Sequence, residues 1–301
     1  MKPQQKTAFR KALLTWYSKG HRDFPWRRTR DPYAILVSEV MLQQTQAERV
    51  EPKYLEWLKR YPDFASLAAA PLGDVIRAWS GLGYNRRAVQ LHGIAKRVVA
   101  ESGGALPGEF ERLRSFKGLG DYTAAAIACF AFDGRRAVVD TNVRRVLERV
   151  FLGGREGTAK RIDELAQSAI PARRAYDWNQ GMMELGAMVC LSREPRCAAC
   201  PVYRHCRAAP TIHRRLAKSA QGKARVKDKP FKESRRYYRG RIVEYLRARS
   251  GGDGATLAEL GRAVKKGEGE REWVADLVQG LERDGLVKVR NNRGQVRVGL
   301  P

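Results

Sequence analysis

Four cysteines in the second half of the chain are spaced closely enough to hold a metal ion or an iron–sulfur cluster. They lie within seventeen residues in the pattern C-x6-C-x2-C-x5-C, at Cys190, Cys197, Cys200 and Cys206. Four such thiolates can surround one zinc ion or one [4Fe–4S] cluster, and the spacing alone permits either. Disulfides are not expected in a chain that looks intracellular. The fifth cysteine, Cys129, lies in an apolar helical segment and is interpreted as a core residue.

Two carboxylates stand where an acid can take part in catalysis. Glu39 lies in the apolar helical run 36–42. Burying a charged carboxylate costs free energy, so Glu39 is either on an exposed face or a proton donor held in its neutral form. Asp140 follows Val138 and Val139 and precedes a basic helix, a position typical of a helix N-cap. Local sequence leaves these alternatives open.

A Gly-x-Gly turn lies about twenty residues before Asp140, between two predicted helices. Residues 116–123 read FKGLGDYT, and the two glycines allow a tight turn that exposes backbone N–H groups beside a helix N-terminus. Such a nest binds phosphate without reading base sequence. We therefore expect Lys117, Gly118 and Gly120 to contact a phosphate backbone.

Helical periodicity dominates the first two hundred residues, so helices must position these groups. Apolar residues recur at helical spacing over 32–58, with a break expected at Pro52, and over 74–79, 86–100, 122–132, 142–151 and 178–191. No alternating strand pattern occurs there. A first domain, 1–210, is therefore predicted to be all-α.

The sequence after residue 210 predicts a basic linker and a small second domain. Residues 207–241 hold thirteen basic and two acidic residues, which indicates a linker over 211–235 that either follows a phosphate backbone or only aids solubility. Within 236–301, three short helices (242–249, 256–264, 273–284) precede a hairpin with its turn at 291–294. Thr256 and Glu259 form a capping-box pattern. This order is typical of a winged helix, whose third helix can enter a DNA major groove.

The net charge points to a polyanionic partner. Of 301 residues, 58 are lysine or arginine and 32 are aspartate or glutamate, a formal charge of +26. Nucleic acid fits this charge best, ahead of an anionic membrane or ribosome surface. No apolar run approaches the 18 or so residues of a membrane span, and the N-terminus is polar. Neither a membrane nor a secreted protein is expected, and the nucleoid within the cytoplasm is the expected location.

Six stretches resemble the helix-hairpin-helix DNA glycosylase superfamily, and within it the A/G-specific adenine DNA glycosylase (MutY) family. They are SEVMLQQTQ (38–46), GLGY (81–84), GLGDYTAAAI (118–127), VDTNVRRVL (139–147), NQGMMELGAMVC (179–190) and the four-cysteine loop. The QQTQ run and the segment 180–190 are similar to the adenine-specific branch. The resemblance implies a mainly α glycosylase fold with an iron–sulfur loop, to which this chain adds a small winged-helix-like α+β domain. It also implies a monomer that binds double-stranded DNA containing a mispaired or damaged base.

The resemblance further assigns roles to single residues. Glu39 matches the general acid that protonates adenine N7, and Asp140 matches the carboxylate that stabilises the sugar oxocarbenium. Tyr122 and Asn142 match groups that orient these acids and the water. Four positions match the adenine pocket, two match the wedge into the base stack, and one is a further predicted DNA contact; these are Arg22, Trp26, Arg27 and Gln180, then Gln44 and Tyr84, and lastly Arg86. The four cysteines match ligands of a [4Fe–4S] cluster.

The implied reaction is excision of adenine opposite 8-oxoguanine or guanine, by hydrolysis of the N-glycosidic bond after base flipping, in base excision repair. Tyr122 replaces the lysine that forms a Schiff base in lyase-type relatives, so strong strand cleavage is not expected. The family's Nudix-like C-terminal domain has no counterpart after residue 210. The alternatives are a mismatch thymine, uracil or hypoxanthine glycosylase on the same scaffold and, in a different class, an iron–sulfur winged-helix regulator that binds DNA.

Overall fold

The computed structural model describes residues 3–221, 231–249, 254–264, 271–292 and 295–301. The chain divides into two compact units, and each is built from two separate stretches. The first unit comprises residues 1–36 and 107–225, and the second comprises residues 37–106 and 226–301. The division at 210 and 235 expected from composition stays a prediction.

Helices make up most of the described residues, which confirms the mainly α fold. In chain order they are α1 (Pro3–Lys19), α2 (Pro32–Leu42), α3 (Ala47–Arg60), α4 (Phe64–Ala69), α5 (Leu72–Ala78), α6 (Arg86–Ser102), α7 (Phe110–Arg114), α8 (Asp121–Phe130), α9 (Thr141–Leu152), α10 (Ala159–Ala169), α11 (Ala175–Glu184), α12 (Ile212–Gln221), α13 (Arg235–Arg247), α14 (Leu257–Ala263) and α15 (Arg271–Arg283). Helix α11 continues as a π-helical turn, Leu185–Val189, that ends at Cys190.

The expected helix break at Pro52 is wrong. Pro52 lies inside α3, and the chain turns earlier, between α2 and α3, where Gln44 has a φ of +55°. One left-handed residue is enough to end a helix, whereas a proline near the first turns removes a single backbone hydrogen bond. The sequence gives no sign of this turn, because the left-handed residue is a glutamine and not a glycine.

Four helices enclose the core of the first unit. Phe9 on α1 makes edge-to-face contacts with Phe151 on α9, at a centroid distance of 5.6 Å, and with Trp178 on α11, at 5.4 Å. Ile162 and Ala166 on α10 are buried in the same cluster. Burial of this size fixes how α9 and α11 lie against each other, and these two helices carry Asp140 and the segment leading to the cysteines.

The C-terminal part of the second unit has the winged-helix topology predicted from the sequence. Strands β1 (Ala255–Thr256), β2 (Lys288–Asn292) and β3 (Gln295–Gly299) form an antiparallel sheet in the order β1-β3-β2. Val298 in the central strand faces both Ala255 and Val289. The Thr256–Glu259 capping box is confirmed at the start of α14. The tip of the predicted hairpin, 293–294, lies outside the described residues.

The stretch expected to be a linker contains helical structure where it is described. Helix α12 occupies 212–221, and α13 begins at Arg235, seven residues before the predicted start, because Ser234 caps it by accepting from the Tyr237 N–H at 3.2 Å. Residues 222–230 lie outside the described part. Among the described helices, none is long and apolar enough to cross a membrane.

Candidate active site

Asp140 caps helix α9 and contacts a neighbouring amide. Its Oδ1 accepts a hydrogen bond from the Val143 N–H at 2.6 Å, and its Oδ2 accepts one from Asn142 Nδ2 at 3.0 Å. The predicted N-cap is therefore confirmed. Because both oxygens accept hydrogen bonds, the geometry suits an ionised carboxylate. Asn142 contacts the acid that the resemblance says it orients.

Arg145 connects this acid to the loop that carries the cysteines. Its Nη2 donates to Asn142 Oδ1 at 2.8 Å and to the Gly186 carbonyl at 2.7 Å, and its Nε donates to the Cys190 carbonyl at 2.8 Å. A Cβ on Gly186 would lie 2.7 Å from Asn142 Cβ, so only glycine allows this approach. Asp140, Asn142, Arg145 and the backbone before the first cysteine thus form one hydrogen-bonded chain.

Glu184 holds two of the arginines assigned to the base pocket. The carboxylate is fully buried and accepts from Arg22 Nη2 at 2.9 Å and from Arg27 Nη2 at 2.7 Å. Burial alone would raise the pKa of Glu184, but the hydrogen bonds and charges of Arg22 and Arg27 bring this pKa below its ordinary value. Both guanidinium groups also lie over the ring of Phe24, at 5.3 and 5.4 Å.

The other two pocket candidates are buried in the same unit. Trp26 stacks on Phe24 with ring centroids 4.8 Å apart, and Gln180 lies on α11 with 6% of its surface exposed. The residue before it, Asn179, accepts from the Val138 N–H at 2.9 Å and donates to the Arg136 carbonyl at 2.9 Å. Asn179 therefore fixes the strand-like segment that leads to Asp140.

The Gly-x-Gly turn joins α7 to α8 as a helix-hairpin-helix. Leu119 is buried and its N–H bonds the Phe116 carbonyl at 3.0 Å, while Lys117 and Gly120 are exposed. Gly118 has a φ of +106°, which only glycine adopts readily. Tyr122 is half-buried in the first turn of α8. The exposed N–H groups beside a helix start are suited to a phosphate.

In the second unit, Glu39 is buried on α2. Only 5% of its surface is exposed, and its neighbours Val37, Val40 and Met41 are also buried. The exposed-face alternative for Glu39 is therefore wrong, and the acid sits in the apolar setting expected of a proton donor. Glu39 belongs to the second unit and Asp140 to the first, so their juxtaposition stays a prediction.

Both residues assigned as wedges occupy strained turns. Gln44 has a φ of +55° and Tyr84 a φ of +44°, values that residues other than glycine rarely adopt. Tyr84 is 40% exposed. Strain of this kind costs about 1–3 kcal/mol per residue and persists only where surrounding contacts enforce it.

Arg87 supplies the contacts that enforce both turns. Its buried guanidinium donates to the carbonyls of Met41 and Gln43, at 2.8 and 2.7 Å, and to those of Leu82 and Gly83, both at 3.1 Å. The first pair belongs to the Gln44 turn and the second to the Tyr84 turn. Burial lowers the pKa of Arg87 to about 10, so it remains charged at neutral pH. The neighbouring Arg86, assigned to DNA, is instead exposed and lies 3.5 Å from Asp284.

The four cysteines of the loop line one small cavity of about 30 Å³ with largely apolar walls. Burial raises the pKa of the Cys200 thiol to about 11 and also raises that of Cys206. Arg149, itself buried, donates to the Cys190 sulfur at 3.3 Å and to the Leu191 carbonyl at 2.6 Å. Among the residues that the structure describes, no three His, Cys, Asp or Glu side chains are close enough to share one metal ion. Cys129 is a buried core residue, as predicted.

Three residues that sequence reasoning missed position the candidates. Each of them contacts a residue more than forty positions away in the sequence; they are Arg87, Arg145 and Glu184. A signal existed only for Glu184, an acid enclosed by Met182, Met183 and Leu185 in an otherwise apolar helical segment.

Comparisons with known proteins place the chain among DNA repair glycosylases. Residues 37–172 match the family described as "HhH-GPD superfamily base excision DNA repair protein". An adenine DNA glycosylase of Mycolicibacterium smegmatis is 42% identical over 72% of this chain and 77% of its own length. The human adenine DNA glycosylase is 44% identical over 67% of this chain, which spans only 39% of that longer protein. A solved thermostable thymine-DNA glycosylase superposes with a TM-score of 0.65 at 33% identity, covering 69% of this chain and 97% of that one.

Proposed function

The chain belongs to the adenine DNA glycosylase family of the HhH-GPD superfamily, and on that premise we propose that it excises mispaired adenine from double-stranded DNA in base excision repair. The proposal rests chiefly on the 42% identity shared with a bacterial adenine DNA glycosylase over most of both chains. The chemistry needed is hydrolysis of the bond between deoxyribose C1′ and adenine N9, after the base is flipped out of the duplex.

Glu39 and Asp140 divide the acid–base work in this proposal. Adenine leaves poorly as an anion, so Glu39 in its neutral form gives a proton to N7, and its burial supports that form. Asp140 stabilises the positive charge left on the sugar. Hydrogen bonds from the Val143 N–H and Asn142 Nδ2 hold its two oxygens in one orientation. The bond between C1′ and N9 breaks, and water attacks C1′. The proton that the water gives up restores the neutral form of Glu39, and free adenine and an abasic site remain.

The four cysteines hold a [4Fe–4S] cluster in this proposal. All four line one cavity, which fits a shared group. A [4Fe–4S] cluster binds one thiolate at each of its four irons, and the four cysteines supply that number. When bound, it would link the loop to α9 and α11, and Arg149 would balance the negative charge of Cys190.

Tyr122 makes the proposed enzyme monofunctional. A Schiff base needs a primary amine, and a phenol cannot form one. The half-buried Tyr122 at the start of α8 therefore leaves hydrolysis as the route, with an intact abasic strand as product.

A substrate panel tests the proposal directly. Excision is measured on duplexes containing A:8-oxoguanine, A:G, T:G, U:G or hypoxanthine, with the wild type and with Glu39→Gln and Asp140→Asn. We expect adenine release and a loss of about 10²–10⁴-fold in each variant. Asp163→Asn, which removes an exposed acid on α10, is the matched control. Preference for T:G or U:G would establish the thymine or uracil alternative, which the likeness to a thymine-DNA glycosylase supports. Full excision activity in both variants would refute the roles given to Glu39 and Asp140, and the absence of excision from every duplex would refute a glycosylase.

A further inference from the structure

The C-terminal winged helix is packed directly onto the segment that carries Tyr84. Arg247 on α13 donates to the Ile76 carbonyl at 2.9 Å and to Asn85 Oδ1 at 3.0 Å. Ile76 on α5 is fully buried in one cluster with Val243, Leu277 and other residues of the winged helix. The surface that the winged helix presents beside Tyr84 is therefore held in place by a common core.

The third helix of this winged helix is poorly suited to a DNA groove. The exposed charged side chains of α15 are of both signs: Glu272, Glu282, Arg271 and Arg283. The remaining acid of the helix, Asp276, pairs with Arg235. The helix that a winged helix commonly places in a groove therefore has no excess of positive charge to attract phosphates.

A basic cleft of about 940 Å³ lies instead between α13 and the turns at Gln44 and Tyr84. Two acids, Glu244 and Asp284, face six arginines in its lining: Arg49, Arg86, Arg87, Arg236, Arg239 and Arg241. The positive excess would attract phosphates.

Arg236 forms the centre of an aromatic–guanidinium–aromatic array in this cleft. Its guanidinium lies 5.0 Å from the ring centroid of Tyr84 and 5.0 Å from that of Phe231, and its Nη1 donates to the Tyr84 hydroxyl at 2.7 Å. Phe231 and Tyr84 are 55% and 40% exposed, large values for aromatic rings. Exposed rings and guanidinium planes are the surfaces on which proteins stack unpaired bases.

We infer that this cleft is a subsite for an unstacked nucleotide of the bound DNA, with Phe231 as a stacking surface and Arg236 as a contact to base plane and phosphate. This inference rests on the proposed function, since flipping a base disrupts stacking beside Tyr84 and provides such a nucleotide. The C-terminal domain therefore contributes to DNA recognition through α13 and the residues before it, and not through α15.

Equilibrium binding by fluorescence anisotropy tests the subsite. Full-length Phe231→Ala, Arg236→Ala and Arg236→Lys are made in the Asp140→Asn background, so that affinity is read without turnover. The probes are an A:G duplex and the same duplex fully paired. Loss of one stacked base is worth about 1–3 kcal/mol, so we expect Phe231→Ala to weaken binding of the mispaired duplex about tenfold and binding of the paired duplex less.

The arginine variants separate stacking from charge. Arg236→Lys keeps the charge, so we expect weaker binding with an unchanged salt dependence, whereas Arg236→Ala should also reduce the slope of log K against log salt by about one. Arg283→Ala, which removes an exposed charge at the end of α15, is the matched control and should bind as the parent does.

Three results would overturn the inference: wild-type affinity in Phe231→Ala and Arg236→Ala, equal losses on the two duplexes, or a loss in Arg283→Ala as large as theirs. Thermal unfolding of each variant confirms that the fold is kept, as expected for side chains this exposed. A wild-type protein that releases no adenine would refute the proposed function and would leave these affinities readable.

Discussion

Replacing Glu184 with glutamine tests how the two arginines of the base pocket are held. Glu184 is 0% exposed, and the Arg27 side chain that it binds is 8% exposed. Glutamine keeps the size but removes the charge, which leaves the Arg27 guanidinium buried without its counter-ion. Breaking a buried ion pair from one side costs about 3–5 kcal/mol. In a protein of this size such a loss lowers the midpoint of thermal unfolding by about 10 °C.

The pH dependence follows from the direction of the Glu184 pKa. Although burial acts to raise it, the two arginines bring the pKa below its ordinary value of 4.5. A carboxyl group whose pKa is lower in the folded state stabilises the fold above its unfolded pKa, and this contribution is lost as the pH falls through the folded pKa. The stability gap between wild type and Glu184→Gln is therefore full at neutral pH and narrows in acid.

The assay measures the midpoint of thermal unfolding at neutral pH and at pH values below the ordinary glutamate pKa. The quantity compared is the difference between the midpoints of wild type and variant at each pH. Asp177→Asn is the control, because Asp177 lies on the same helix but pairs with Arg174 at the surface, where the side chains are 33% and 50% exposed. Such an exposed pair is worth less than about 1 kcal/mol. If Glu184→Gln destabilises no more than Asp177→Asn, or if the difference in stability is undiminished in acid, the buried ion pair does not stabilise the fold.

Three further predictions follow from the same contacts. Arg87→Met leaves buried carbonyls of both strained turns without a donor. We therefore expect urea unfolding to show a loss of about 3 kcal/mol or more in the free energy of unfolding, and anisotropy to show weaker duplex binding. An unchanged midpoint of urea unfolding would contradict this. Arg145→Met removes the donor to Asn142 Oδ1 and should slow single-turnover excision by about 10-fold or more. Arg144→Met, which changes the neighbouring side chain that binds Glu148, should not. Product duplexes should remain uncleaved without alkali, because Tyr122 offers no amine, and efficient strand scission would show that another residue acts as a lyase.

Elements set by local sequence were predictable. Asp140 as an N-cap, the Thr256–Glu259 capping box and the glycine-containing hairpin each depend on residues within a few positions of one another. The hairpin of β2 and β3 was also predictable, whereas the short strand β1 that pairs with β3 was not. Local hydrogen bonding decides such features, so the residues alone suffice to indicate them.

Long-range contacts were not predictable, and the two arginine pairs show why. In Arg86–Arg87 and Arg144–Arg145, one member is exposed or partly so and pairs with an acid. The other member turns inward to backbone carbonyls more than forty positions away. Helical geometry places adjacent residues about 100° apart, but the sequence does not say which of them faces the core. The turn at Gln44 escaped notice for a similar reason, because Arg87 enforces it from more than forty positions away.

Because each unit is built from two distant stretches of the chain, the order of synthesis determines when each unit can fold. Residues 1–36 complete the first unit only with 107–225, and 37–106 meet 226–301 only at the end of synthesis. Domains synthesised in one piece can fold as they appear, whereas here each unit is completed late. Stopping translation near residue 225 would also leave Ile76, Leu72 and Val89 uncovered. The last seventy-six residues, 226–301, therefore cover one apolar face of the second unit. We expect a chain that ends before them to expose that face and to aggregate more readily.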